Sequence, residues 1–113
     1  MKIFCDGSGW NGRESRWCVI VEGRDPIVQS YFDSRTNNEM EYRSVLYAIA
    51  TSNKDDIILT DSQLVVNQVN GKWKVKSEHL KTLCIRAQSL LELRGSTLKW
   101  IPREENLAGK VFE

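Results

Sequence analysis

The sequence predicts a single α/β domain: a mixed five-stranded sheet, three strands antiparallel and two parallel, flanked by helices. Three observations lead there. Residues 2–32 hold three short β-branched or aromatic runs separated only by turn-rich stretches, as in an antiparallel meander. From Asn37 onward, stretches with apolar residues at helical spacing alternate with short apolar runs, in the order α-β-α-α-β-α. Strands joined through helices pair in parallel, so the second half adds two parallel strands beside the first strand of the meander. With 113 residues, the whole of 1–113 is expected to be one domain.

Each element has its own signal. Residues 2–6 are an apolar run closed by Asp6, and the turn-rich GSGWNG (Gly7 to Gly12) follows. SRWCVIVEG (Ser15 to Gly23) is β-branched and aromatic, a second strand. Pro26 confines PIVQSYF (Pro26 to Phe32) to a sheet edge. NNEMEYRSVLYAIATS (Asn37 to Ser52) is a helix with apolar Met40, Val45, Leu46 and Ile49, and with Asn37 and Asn38 as caps at its mouth. IILT (Ile57 to Thr60) reads as a strand buried on both faces, and SQLVVNQVNG (Ser62 to Gly71) as a short helix stopped by glycine. SEHLKTLCIRAQSLLELRG (Ser77 to Gly95) is a long amphipathic helix. STLKWIP (Ser96 to Pro102) alternates as a strand, and residues 103–113 are expected to close the chain as a helix.

Composition narrows the class. Hydrophobic residues make up 41% of the chain, enough for one core that four Trp enlarge. The net charge is only +1, so an anionic partner must be held by a local patch rather than by a whole-molecule field. Cys5, Cys18 and Cys84 are odd in number and lack CxxC spacing, which argues against a disulfide framework or zinc cluster and for a reducing compartment. Asp6 interrupts the apolar run that a signal peptide needs, and no stretch approaches membrane-spanning length. A soluble, cytoplasmic protein without a membrane partner is expected.

The buried strand IILT runs straight into Asp61. An acid placed there has to be solvated, paired or bound to a metal. Ahead of a helix it also reads as an N-cap. In open α/β sheets the site lies beyond the carboxyl ends of the parallel strands, where the chain order reverses. Asp6 and Asp61 end two neighbouring strands there. Glu41, taken alone, is an ordinary acid in the first turns of a helix.

Four stretches then act together: FCDGS (Phe4 to Ser8), TNNEMEY (Thr36 to Tyr42), LTDSQLV (Leu59 to Val65) and WIPREEN (Trp100 to Asn106). In order and spacing the chain resembles type 1 ribonuclease H over essentially its whole length. The resemblance implies the ribonuclease H-like fold and an endonuclease that hydrolyses the RNA strand of RNA–DNA hybrids, leaving 5′-phosphate and 3′-hydroxyl ends; a monomer is expected. It assigns the metal-binding carboxylates to Asp6, Glu41 and Asp61. Glu39 lies about 200° around a helix from Glu41 and so faces elsewhere. Oxygen ligands without His or Cys suit Mg²⁺ or Mn²⁺ rather than zinc. Two such ions about 3.5–4 Å apart would clamp a phosphodiester.

The same resemblance implies that Asn37, Asn38 and Gln63 address 2′-hydroxyls, with the backbone of Gly7 and Ser8 close by. It gives Asn11 and Thr36 phosphates of the DNA strand. Lys72, Lys74 and Lys76 alternate with Trp73 and Val75, either a strip for a phosphate backbone or a plain solvated face. His79 reads as a surface or half-buried helix residue, and Trp10 as a lid on the core or a stacking platform. Where some family members carry a mobile His, IPREEN leaves Glu104, Glu105 or neither in that role. The family's fourth carboxylate falls at Lys110, or at Gly109 with a one-residue shift. Three readings compete: the ligand is lost, Lys110 supplies charge to the phosphate, or Glu113 reaches back from nearly the same helical face. Glu113 is the favoured fourth catalytic carboxylate. Two other functions compete: a non-catalytic hybrid-binding module with an incomplete metal site, and another nuclease or strand-transfer enzyme on the same fold.

Overall fold

A computed structural model describes residues 1–113. Its strands are β1 (Lys2–Ser8), β2 (Ser15–Val21), β3 (Ile27–Tyr31), β4 (Ile57–Thr60) and β5 (Thr97–Trp100). Its helices are α1 (Asn37–Thr51), α2 (Gln63–Val69) and α3 (Glu78–Arg94). The sheet order is β3-β2-β1-β4-β5, antiparallel across β3, β2 and β1 and parallel across β1, β4 and β5. This is the mixed sheet that the element order predicts. The edge position of β3 agrees with Pro26.

Strand alternation divides the core. Ile3, Cys5, Trp17, Val19, Ile58 and Leu98 pack against the helices, and α1 lies on β1 and β2 with α3 against its outer side. Phe4, Cys18 and Leu59 point to the other face, where Ala108 and Phe112 cover them. All three cysteines are buried and unpaired. No helix is long and apolar enough to cross a membrane.

Two expectations need correction. The N-cap of α1 is Thr36, whose hydroxyl accepts from the Glu39 N–H at 3.1 Å, rather than either Asn. A threonine just outside the helix does this well, and it leaves both Asn side chains for other uses. The closing helix over 103–113 is also absent. The segment forms two 3₁₀ turns, Arg103–Glu105 and Gly109–Phe112. Asn106 breaks it: its side chain donates to the Cys5 carbonyl at 2.8 Å and accepts from the Ala108 N–H at 3.2 Å. Such side-chain bonds compete with a continuous helical ladder.

Candidate active site

Register builds the site. Phe4 pairs with Leu59 across β1 and β4. Two residues further along, on the same face, come Asp6 and Asp61. The third carboxylate arrives from α1, which crosses β1 in close contact. A Cβ at Gly7 would lie 2.2 Å from the Met40 carbonyl carbon and 2.3 Å from the Glu41 nitrogen. Glycine is therefore required for the helix to sit so low. The Gly7 N–H then donates to Glu41 Oε1 at 2.6 Å and turns that side chain to the strand end. Ligand oxygens of Asp6, Glu41 and Asp61 all lie within 4.8 Å of one another. Glu39 faces away, bound to Arg35, Arg43 and His79.

The cluster is electrostatically unbalanced. Burial, then the charge of Asp61, pushes the Asp6 carboxyl up to about 6. Burial and the charges of Asp6 and Asp61 raise Glu41 well above the usual carboxylate range. Asp61 Oδ2 is buried without a hydrogen bond, its nearest cation being Arg103 Nη1 at 3.7 Å. An orphaned carboxylate oxygen beside two further carboxylates, with no His or Cys among them, fits a hard divalent cation. A cavity of about 340 Å³ opens beside them, lined by Asp6, Glu41, Ser8, Arg16, Arg103 and Phe112 among others.

The other predicted residues divide into two sets. Asn37 Oδ1 accepts from the Gly9 N–H at 2.6 Å, and Asn37, Gly7 and Ser8 line the cavity. Asn38 and Gln63 are exposed at the starts of α1 and α2, free to meet a ligand. Asn11 caps its own turn, accepting from the Arg13 and Glu14 N–H groups at 2.9 and 2.8 Å. Thr36 is committed to its helix. Lys72, Lys74 and Lys76 are exposed on the connection between α2 and α3, with Trp73 49% exposed among them. That connection is pinned where the Asn67 carbonyl accepts from the N–H groups of Lys72 and Trp73. Trp10 is 42% exposed in the turn after β1. His79 is a surface residue paired with Glu39.

A family model, RNase H, matches residues 1–102. The chain belongs to the RNase H family. Among relatives, a bifunctional protein of Mycobacterium tuberculosis, Rv2228c, is 38% identical over 93 residues, covering 78% of this chain and 24% of that protein. The ribonuclease HI of Halobacterium salinarum is 36% identical over 93 residues, covering 78% of this chain and 44% of that protein. The chain thus spans about a quarter and under half of these relatives' lengths. The solved N-terminal RNase H domain of Rv2228c, a fusion with maltose-binding protein, superposes with a TM-score of 0.78 at 27% identity, over 93% of this chain and 84% of that one. The LC11-RNase H1 structure in complex with an RNA/DNA hybrid shares the fold, with a TM-score of 0.69 at 22% identity over 99% of each chain.

Within this RNase H frame the closing segment departs from expectation. Glu113 is exposed and stands outside the carboxylate cluster, and Lys110 is exposed too. The residue that faces the cluster is Gly109, where an added Cβ would sit 3.5 Å from Asp6 Oδ2. The reading of Glu113 assumed an α-helical face, and the 3₁₀ turns remove it. Glu104 and Glu105 are exposed as well. Sequence reasoning missed Arg16, Arg103, Asn106 and Phe112. The one available signal was Arg16, a charge inside an otherwise apolar strand.

Proposed function

We propose that this chain is an endonuclease that hydrolyses the RNA strand of RNA–DNA hybrids with two divalent cations, Mg²⁺ or in its place Mn²⁺, held by Asp6, Glu41 and Asp61. The observation that carries this reading is the convergence of three carboxylates within 4.8 Å, one with a buried unpartnered oxygen, in an RNase H family chain. Bound cations supply charge to polarise the phosphodiester, activate water and stabilise the leaving oxygen. The chain's own residues do the rest. Asn38 and Gln63 address 2′-hydroxyls beside the Gly7–Ser8 backbone, and Asn37 holds the loop at Gly9 that frames the cavity. Asn11 and Thr36, after their capping bonds, present the turn and helix mouth to the DNA strand. Arg103 offsets the charge on Asp61. The hybrid-bound LC11 neighbour supports the substrate class. The decisive experiment is cleavage of an end-labelled hybrid in Mg²⁺, beside an all-DNA duplex and an EDTA control. Hybrid that is bound but left intact in both Mg²⁺ and Mn²⁺ would instead establish a hybrid-binding module.

That second reading is favoured by one observation: the residue of the closing segment that faces Asp6 is Gly109, which carries no carboxylate. Its consequence is testable. Gly109→Asp is expected to tighten Mn²⁺ binding roughly tenfold, about 1.4 kcal/mol, by calorimetric titration. Lys110→Asp, on an exposed side chain, should leave that affinity unchanged. Equal effects of the two would show that position 109 is not the fourth-ligand position.

The strip on the α2–α3 connection extends the interface. Helix α2 has seven residues, so the strip begins about 10 Å along the helix axis from Asp61 at 1.5 Å per residue. Replacing Lys72, Lys74 and Lys76 together by Ala should weaken hybrid binding and flatten its salt dependence, while the preference for hybrid over duplex DNA persists. Phosphate contacts position a substrate without identifying it. An unaltered salt slope, read by fluorescence anisotropy, would leave the lysines as solvated surface only.

A further inference from the structure

Arg16 projects from β2 on the same sheet face as Asp6, since its backbone partner across the strands is Ser8. It lines the cavity that Asp6 and Glu41 line, yet it bonds to neither. Its Nε is buried and has no hydrogen-bond partner. Its one ionic contact is a long one, Nη1 to Glu14 Oε1 at 3.4 Å. What holds the guanidinium in place is the ring of Phe112, whose centroid lies 4.3 Å from Arg16 Cζ. Stacking of this kind fixes a planar cation without using its donors. The result is a positioned charge with N–H groups to spare beside a cluster of carboxylates.

An anion entering the cavity is the partner such a group suits. We propose that Arg16, braced by Phe112, is a phosphate-binding residue of this site, donating to a non-bridging oxygen of the phosphodiester that enters beside Asp6 and Glu41. This rests on the hybrid-nuclease reading and adds a contact separate from Asn11 and Thr36. It also gives the closing segment a purpose. Gly109 contributes no carboxylate, whereas Phe112, three residues on, contributes the surface that steadies Arg16.

The test uses Arg16→Met, which keeps an apolar stem against Phe112 while removing the charge and the donors. Binding of a labelled RNA–DNA hybrid is measured by anisotropy in EDTA, where nothing is cut, across a salt series. Arg16→Met should weaken binding about tenfold and reduce the slope of log Kd against log salt by about one, the value for one phosphate contact. Arg16→Lys should keep the slope and recover part of the affinity. Phe112→Leu should raise KM more than it lowers kcat, because the charge remains but is no longer held. An Arg16→Met protein with the wild-type slope overturns the inference, whether or not its melting temperature moves. Failure of the wild-type protein to bind hybrid at all would instead sink the function on which it rests.

Discussion

Asp6→Asn, Glu41→Gln and Asp61→Asn are each expected to lose hybrid cleavage by about a hundredfold or more, as when about 3 kcal/mol of transition-state charge stabilisation is withdrawn. Hybrid binding should survive, because these side chains repel phosphate when no cation is present. The loss of activity comes with a gain in stability. Asp6 carries a carboxyl pushed up to about 6 by burial and by Asp61, from an ordinary 3.8. A carboxyl raised on folding stabilises the protein below its unfolded pKa, and that stabilisation is lost as pH rises through the folded value. Between about pH 4 and pH 6 the metal-free wild type should therefore lose stability relative to Asp6→Asn. The difference should reach on the order of 3 kcal/mol at neutral pH. Urea unfolding in EDTA at pH 4 and pH 7 measures it. Added Mg²⁺ should then narrow the gap by stabilising the wild type alone. A pH-independent difference between the two proteins would show that the carboxylates are not crowded in the free protein.

Gly7→Ala is expected to be the most damaging single methyl group in the chain. The new Cβ would meet the Met40 carbonyl carbon at 2.2 Å and its oxygen at 2.5 Å, and backbone atoms cannot rotate aside. Relief requires lifting α1 from β1, which opens the packing of Met40 and Val45 and draws Glu41 from the cluster. A loss of about 3 kcal/mol or more follows, at the upper end of overpacking costs. Gly109→Ala supplies the contrast, since its Cβ would make an ordinary 3.5 Å contact and its backbone needs no left-handed conformation. It should unfold within about 0.5 kcal/mol of the wild type. Comparable urea midpoints for the two variants would mean that α1 does not ride on Gly7 as described.

Much of this architecture is legible locally. The period of apolar residues distinguishes β4 from α1. Pro26 marks β3 as an edge, and Ser62, Ser77 and Gly95 mark helix ends, as their capping bonds confirm. The convergence of Asp6 and Asp61 follows from strand order, while helical geometry says only that Glu39 and Glu41 cannot both face them, and the family pattern picks Glu41. These features depend on contacts within a few residues or on topological rules, so a linear chain displays them. The closing segment is different. Its residues permit a helix, and only the bond from Asn106 to the Cys5 carbonyl, 101 residues away in sequence, selects two 3₁₀ turns.

From that selection comes what the sequence leaves open. Whether Lys110, Glu113 or Gly109 faces the acids depends on about 20° of rotation per residue, the difference between an α-helix and a 3₁₀ turn. Tertiary packing decides it in favour of Gly109. The stacking of Arg16 on Phe112 joins a strand near the start of the chain to its penultimate residue, and no periodicity records such a pair. Sequence by itself determined the order of elements and set Asp6 and Asp61 at neighbouring strand ends, because alternation and strand-pairing rules can be read along the chain; Glu41 joined them only through the family resemblance. Tertiary structure alone decided what surrounds those acids, because which distant side chains share a cavity is set by how the whole core packs.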